Sequence, residues 1–313
     1  MHYRIPAILF IAVIANAAFA QSAPERPRII GISHLAVYTS NPSATEHYYS
    51  DILGAAKEPD PENAHGVRYI FSADQFIEVL PLPSGAGVNR MDHAAFNTTN
   101  AEGMRKYLEA KGWSVPPKVT CASYGHCWFE VRDPEDNRIQ FVESQTFNGQ
   151  KTLLPPKNAI GHHIIHIGFL VHDRAKEDTF YRALLGFRPY WYGGMQDDKI
   201  DWVSQQVPDG HDWLEYMVTS GPSGSGIPAN ISQQQLGVLD HFSLGEVSVP
   251  DAYKMLASAN RLDCKHDQGP KIGKDGKYQF NMYDPDGIRA ELMNFHATEK
   301  PCCSPFTADD PAE

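Results

Sequence analysis

The chain has 313 residues, 42% hydrophobic and 21% charged, values of a globular protein that exclude a disordered or fibrous one. A formal net charge of −11 argues against nucleic acid and against an anionic membrane surface as partners. The length suits two ordinary domains.

From the N-terminus, Arg4 supplies a positive start. Ile5 to Ala15 is an apolar run that Pro6 interrupts early, and Ala18-Phe19-Ala20 gives a small-x-small cleavage site before Gln21. The run is shorter than the roughly 20 residues a spanning helix needs. Residues 1–20 are therefore expected to be a cleaved signal peptide and the mature protein to be secreted or periplasmic, with loss of Arg4 taking the charge from −11 to −12. No later segment is apolar and long enough to span a membrane. An oxidising compartment permits disulfides, and Cys121 and Cys127 flank a short stretch that a disulfide could close as a hairpin. Five cysteines leave at least one thiol free or bonded between chains. Asn97-Thr98-Thr99 and Asn230-Ile231-Ser232 are sequons, a pattern short enough to arise by chance.

The chain then repeats itself. Ile32-Ser33-His34-Leu35-Ala36-Val37-Tyr38 parallels Ile164-Ile165-His166-Ile167-Gly168-Phe169-Leu170, each a β-rich run with a His in third place. A helical pattern follows each, started by Asn41 or Asp173 and stopped by Gly54 or Gly186, residues suited to an N-cap and a left-handed C-cap. A second pair of units opens at His93 and His241, runs through helices ending near Gly112 and Asn260, and closes on Asp133-Pro134 and Asp284-Pro285 turns followed by strands. The order is A-B-A′-B′. The halves meet in a linker at 151–158, and 193–201 and 220–228 read as loops. Each unit reads as a strand, a helix and about three more strands.

Because alternate side chains of a strand share a face, His34 is expected to lie with Ile32, Ala36 and Tyr38, and His166 with Ile164, Gly168 and Leu170. Glu78 and Glu215 sit centrally in strands, beside Phe76 and Leu80 and beside Trp213 and Met217. Gln140 and Glu291 follow their turn aspartates at the same distance. Carboxylates and imidazoles on such apolar faces are costly to bury without a partner. A divalent metal is one, and His with Glu suits Zn, Fe, Ni, Co or Mn.

At these residues the chain resembles the vicinal-oxygen-chelate superfamily, which includes glyoxalases, bleomycin resistance proteins and extradiol dioxygenases. The resemblance covers about residues 30–295. It implies an α+β fold of four βαβββ modules paired into two cup-shaped half-barrels. The first domain would span 29–146 and the second 159–296, followed by a C-terminal tail, 297–313. It implies a metal set of His166, Glu215, His241 and Glu291 in the second half, matching the His-Glu-His-Glu set of the glyoxalase I branch. The first half offers His34, Glu78, His93 and Gln140. Gln140 departs from the usual Glu; its carbonyl oxygen can coordinate, but it is no proton-transfer base. One divalent ion is expected, or two if both halves bind.

The resemblance carries three functions. One is a glyoxalase-I-like lyase, isomerase or epimerase acting through an enediolate on a small substrate with vicinal oxygens, with Glu291 or Glu215 moving the proton. Export argues against a glutathione-linked substrate, since that thiol is mainly intracellular. Another is an Fe(II) dioxygenase acting on a catechol, using His166, His241 and Glu291. Against it, Glu215 is an added donor, and the tyrosine such enzymes carry is absent: Asn281 follows Phe280, with Tyr278 and Tyr283 out of register. The third is a metal-free protein that sequesters a ligand or antibiotic. No nucleophile elbow, His-Glu-x-x-His helix or phosphate loop occurs. His162 and His163 are secondary base candidates that read more simply as surface histidines. Oligomeric state is not read from sequence.

Overall fold

The structure, a computed structural model, describes residues 24–122, 125–144, 159–218, 231–262 and 268–313. The expected signal peptide, the linker at 151–158, the loop at 220–228, Asn230 and Cys264 lie outside the described residues.

The repeated units fold on one plan. The first runs β1 (Ile29–Thr39), α1 (Pro42–Glu46), β2 (Ala56–Pro59), β3 (Val67–Ile70) and β4 (Phe76–Pro81). The second runs β5 (Met91–Thr98), α2 (Ala101–Ala110), β6 (Thr120–Cys121), β7 (Cys127–Arg132) and β8 (Arg138–Glu143). The third has β9 (Ile164–Val171), α3 (Arg174–Asp178), β10 (Arg188–Gly193), β11 (Trp202–Gln206) and β12 (Trp213–Val218). After α4 (Gln233–Leu239) the fourth has β13 (His241–Glu246), α5 (Val249–Ser258), β14 (Lys271–Ile272), β15 (Tyr278–Tyr283) and β16 (Arg289–Asn294). The expected start and stop signals act. Asn41 accepts from the Ala44 amide and Asp173 from that of Lys176, while Gly54 and Gly186 take φ of 77° and 84°. Both α1 and α3 continue into π-helical turns, His47–Ile52 and Thr179–Leu184.

Two eight-stranded sheets result, ordered β2-β3-β4-β1-β5-β8-β7-β6 and β10-β11-β12-β9-β13-β16-β15-β14. In each, the first strand of a unit runs parallel to its last, and the two first strands meet antiparallel in the middle. This is the α+β architecture of four βαβββ modules paired into two curled half-barrels. The middle position brings four strands with polar centres together: β4-β1-β5-β8 in one sheet, β12-β9-β13-β16 in the other. Apolar residues of both halves form one continuous core, with Tyr49 against Phe242 and Phe96 against Phe187 across the halves.

Strict alternation fails just before the histidine of β1 and of β9. Ile32 faces Phe96 and His34 faces Ala95, so Ser33 is an extra residue; likewise Leu244 faces Ile164 and Ser243 faces His166, leaving Ile165 extra. Such a bulge reverses the faces beyond it. Ile32 and Ile164 therefore join the core with Leu35 and Ile167 and do not share a face with His34 and His166, correcting the sequence expectation.

Helix α4 was not anticipated, although Ser232 and Gln235 form a reciprocal capping box that the sequence spells out. Cys121 and Cys127 are bonded across the β6–β7 hairpin, and Cys302 is bonded to Cys303. Asn97 is buried and donates to the Ile32 carbonyl, so its sequon is not presented to solvent. No helix among the described residues is long and apolar enough to cross a membrane.

Candidate metal centre

In the second half the four expected residues converge on one cup. His166 comes from β9, Glu215 from β12, His241 from β13 and Glu291 from β16. The Nε2 atoms of His166 and His241 stand 3.0 Å apart, and Glu291 Oε2 lies 3.2 Å from His166 Nε2. Donor atoms of these three all fall within 4.8 Å of one another. Glu215 leans in from the other side, its Oε2 3.4 Å from His241 Nε2 and its Oε1 accepting from Ser204 Oγ at 3.3 Å. Its side chain is 14% exposed, while both histidines are fully buried.

The neighbours fix the rings. His241 Nδ1 donates to the Leu239 carbonyl at 2.7 Å, which puts the lone pair on Nε2. Trp213 stacks on His166 with centroids 4.7 Å apart. Burial, then the Arg289 guanidinium, pushes His241 down to about 4, so the ring is neutral and ligand-competent. Burial alone would raise the Glu291 carboxyl, but Arg289 and the two imidazoles hold it down to about 2. Glu215 is likewise below its usual range, with burial opposed by its bond to His241. The Glu291 carboxylate and two imidazoles whose Nε2 atoms face each other are donors that suit a divalent ion, with the Glu215 carboxylate beside them. The donor set fits.

Aromatic packing rims this cup. Tyr190, Trp191, Trp213, Met293 and Phe295 cluster with Phe306 of the tail. Lys277 is buried among them, its Nζ bonded to Asp310 at 2.7 Å and to the Phe295 carbonyl at 2.7 Å. The tail is thus strapped to the second sheet, with Thr307 N donating to the Tyr190 carbonyl at 3.0 Å. Nothing in the repeat pattern points to Lys277.

The first half builds a parallel cup. His34 and His93 place their Nε2 atoms 2.9 Å apart, and Glu78 Oε2 lies 3.8 and 3.5 Å from them. His93 Nδ1 is bonded to Asp92 at 2.7 Å and His34 Nδ1 to Ser33 Oγ at 3.1 Å. Gln140 lines the same cavity, which has a volume of about 500 Å³. Burial, with the nearby Asp60 and Glu62, pushes Glu78 up to about 10, the opposite of the second-cup carboxylates. Glu62, from the loop between β2 and β3, is a site residue the repeat did not reveal, because no counterpart recurs. His163 is not in either cup: it pairs with Asp212 at 2.7 Å and with the Ala312 carbonyl, and His162 is exposed.

Residues 163–292 match the family described as the Glyoxalase/Bleomycin resistance protein/Dioxygenase superfamily, and the chain carries a domain of that superfamily there. Among solved structures the whole fold is similar to a catechol 2,3-dioxygenase, at 16% identity and a TM-score of 0.62, covering 91% of this chain and 92% of that one. It is similar also to a Mn(II)-bound glyoxalase from Novosphingobium aromaticivorans, at 19% identity and 0.60, covering 86% and 83%. Homoprotocatechuate 2,3-dioxygenase from Brevibacterium fuscum, in complex with 3,4-dihydroxyphenylacetate, matches at 15% identity and 0.60, covering 92% and 84%. At these identities the likeness is one of fold. Comparison with curated protein sequences finds no match.

Proposed function

We propose that the protein is an exported metal-dependent enzyme whose reacting centre is the second cup. Its reaction is a glyoxalase-type lyase, isomerase or epimerase step on a small substrate with vicinal oxygens. The observation that carries this reading is the second carboxylate. Glu215 faces the donors from outside the close triad, ionised, partly exposed and steadied by Ser204. A divalent ion held there would supply Lewis acidity to a substrate with vicinal oxygens.

The chain's own residues divide the remaining work. His166, His241 and Glu291 would hold the ion. Trp213 holds the His166 plane, and Arg289 keeps Glu291 ionised as a ligand, which makes Glu291 the weaker base. Glu215 accepts the proton and returns it. Glu215→Gln should lower kcat by roughly 10²–10⁴-fold while metal content stays at the wild-type level.

A catechol dioxygenase is the second reading, favoured by the close grouping of two histidines and one carboxylate. Against it, Asn281 is the residue paired with Glu291 in the ladder, and an amide moves no proton. Metal analysis of the wild type and His241→Ala comes first; a protein that takes up no divalent ion would favour ligand sequestration instead. Solvent-proton exchange on α-hydroxycarbonyl compounds is the expected activity. Oxygen uptake with catechols after anaerobic iron loading, without such exchange, would reverse the ranking.

A further inference from the structure

We propose that Cys302, Cys303 and Asp197 form a redox-gated site outside both cups. It is closed here as a disulfide; a thiol reductant opens it, and it then takes a thiophilic divalent ion through two thiolates and one carboxylate.

The bridge does not staple the fold. Cys302 and Cys303 are neighbours in the chain, so their bond closes no loop whose entropy could be lost. The Cys121–Cys127 bond, by contrast, closes a hairpin. Successive side chains of an extended chain point to opposite faces. Cys303 has a φ of 72°, in the left-handed region, and the turn sets both sulfurs on one side. Contacts that do not involve sulfur hold this turn. The Cys302 amide donates to the Lys274 carbonyl at 2.8 Å, and the Cys302 carbonyl accepts from Trp191 Nε1 at 3.2 Å. Ser304 Oγ accepts from the Tyr192 amide at 2.9 Å and donates to the Tyr192 carbonyl at 3.0 Å. Opening the bridge therefore leaves the two sulfurs side by side.

Asp197 supplies the third donor. Its Oδ1 lies 3.4 Å from Cys302 Sγ, and donor atoms of the three residues all fall within 4.8 Å of one another. Lys274 Nζ, 2.7 Å from the same oxygen, steadies the carboxylate and offsets the surplus negative charge of three anionic donors around a divalent ion. Asp197 is exposed and both cysteines are half-buried, so reductant and ion reach them from solvent. Thiolate donors favour soft ions, unlike the nitrogen and oxygen donors of the cups. The chemistry balances. A dithiol gives two electrons and two protons, the S–S bond breaks to two thiols, and the dithiol becomes a disulfide. Binding of the ion then releases both protons.

The test uses the full chain, with Cd(II) as the probe. Sulfur-to-Cd(II) charge transfer absorbs in the ultraviolet, and the cups have no sulfur to give it. After treatment with a dithiol, removed under anaerobic conditions, wild type is expected to show one equivalent more of this absorption than Cys302→Ser/Cys303→Ser. In the oxidised protein the two should not differ. Asp197→Asn should weaken Cd(II) binding by roughly tenfold or more. It should still react as wild type does with a trivalent arsenical, which needs the two thiols alone. Thermal melts identify a variant that fails to fold, and Cys303→Ala serves in place of the double variant. Equal absorption in reduced wild type and the double variant overturns the site, as does a bridge that the dithiol leaves closed in the native protein. Unchanged Cd(II) affinity in Asp197→Asn removes the carboxylate from it. None of these results touches the reading of the second cup, whose metal binding His241→Ala reports.

Discussion

Gly168 and Ala36 occupy the same place in the two cups, and the difference decides how the neighbouring imidazole is held. A Cβ on Gly168 would run into His241 Cε1. In the first cup Ala36 sits opposite His93, whose Nδ1 is bonded to Asp92; in the second, His241 Nδ1 turns to the Leu239 carbonyl and Asp240 accepts from the Leu170 amide. Gly168→Ala should push His241 off Leu239 and weaken second-cup metal binding by about tenfold or more, with the first cup unaffected, as a metal titration would register. Glu177 tests the cost of a buried carboxyl beside other acids. Burial, then Asp133 and Glu135, pushes its carboxyl up to about 9, and neither oxygen has a hydrogen-bond donor. The folded state therefore holds a proton that the unfolded chain releases, and stability falls as pH rises from the ordinary carboxyl range toward 9. Glu177→Gln should raise the Tm at pH 8 and change it little at pH 4. The eight donor positions were legible because they recur across four units. Glu62 and Lys277 were not, because no residue of the same kind recurs at the matching place in the other half and each is placed only by tertiary contacts.

At the scale of elements, strand and helix order followed from hydrophobic pattern, caps and turn residues, all local signals. The bulges at Ser33 and Ile165 did not, because an extra residue is defined only by the partner strand. Those bulges put His34 and His166 on the cup side while Ile32 and Ile164 enter the core. The π-helical turns were equally hidden. They bring Tyr49 and Tyr181 into the core, where each donates to the turn aspartate of the other half, Asp284 and Asp133, at 3.2 and 3.1 Å. The β6–β7 hairpin is closed by a disulfide of sequence separation 6. A loop of that size implies about 2 kcal/mol of stabilisation from chain entropy. Cys127→Ser should lower stability to denaturant by about that amount and leave second-cup metal content unchanged.

For the whole molecule, the halves meet through contacts that come in matched pairs. Asp212 accepts from the Ile32 amide at 2.9 Å, and Gln75, in the corresponding place before β4, accepts from the Ile164 amide at 2.8 Å. Ser40 donates to Asp286, and the His172 amide donates to Glu135. His163 adds to one side only. Burial lowers its pKa, but Asp212 outweighs this and the net shift is upward. Its contribution is then full below the ordinary value of 6.5 and is lost as pH rises through the raised one. The stability difference between wild type and His163→Gln should be larger at pH 6 than at pH 9. Asp212→Ala, which leaves the Ile32 amide and His163 without their acceptor, should cost roughly 2–4 kcal/mol.

Matched contacts of this kind are what a two-fold axis imposes on identical partners: whatever one side gives, it also receives. The same pairing is present here within a single chain, although Asp212 in one half takes the place that Gln75 takes in the other. Two halves held in one chain, unlike two copies of one chain, need not be identical. Each cup is therefore free of having to match the other, and here one carries two carboxylates where the other carries a carboxylate and an amide.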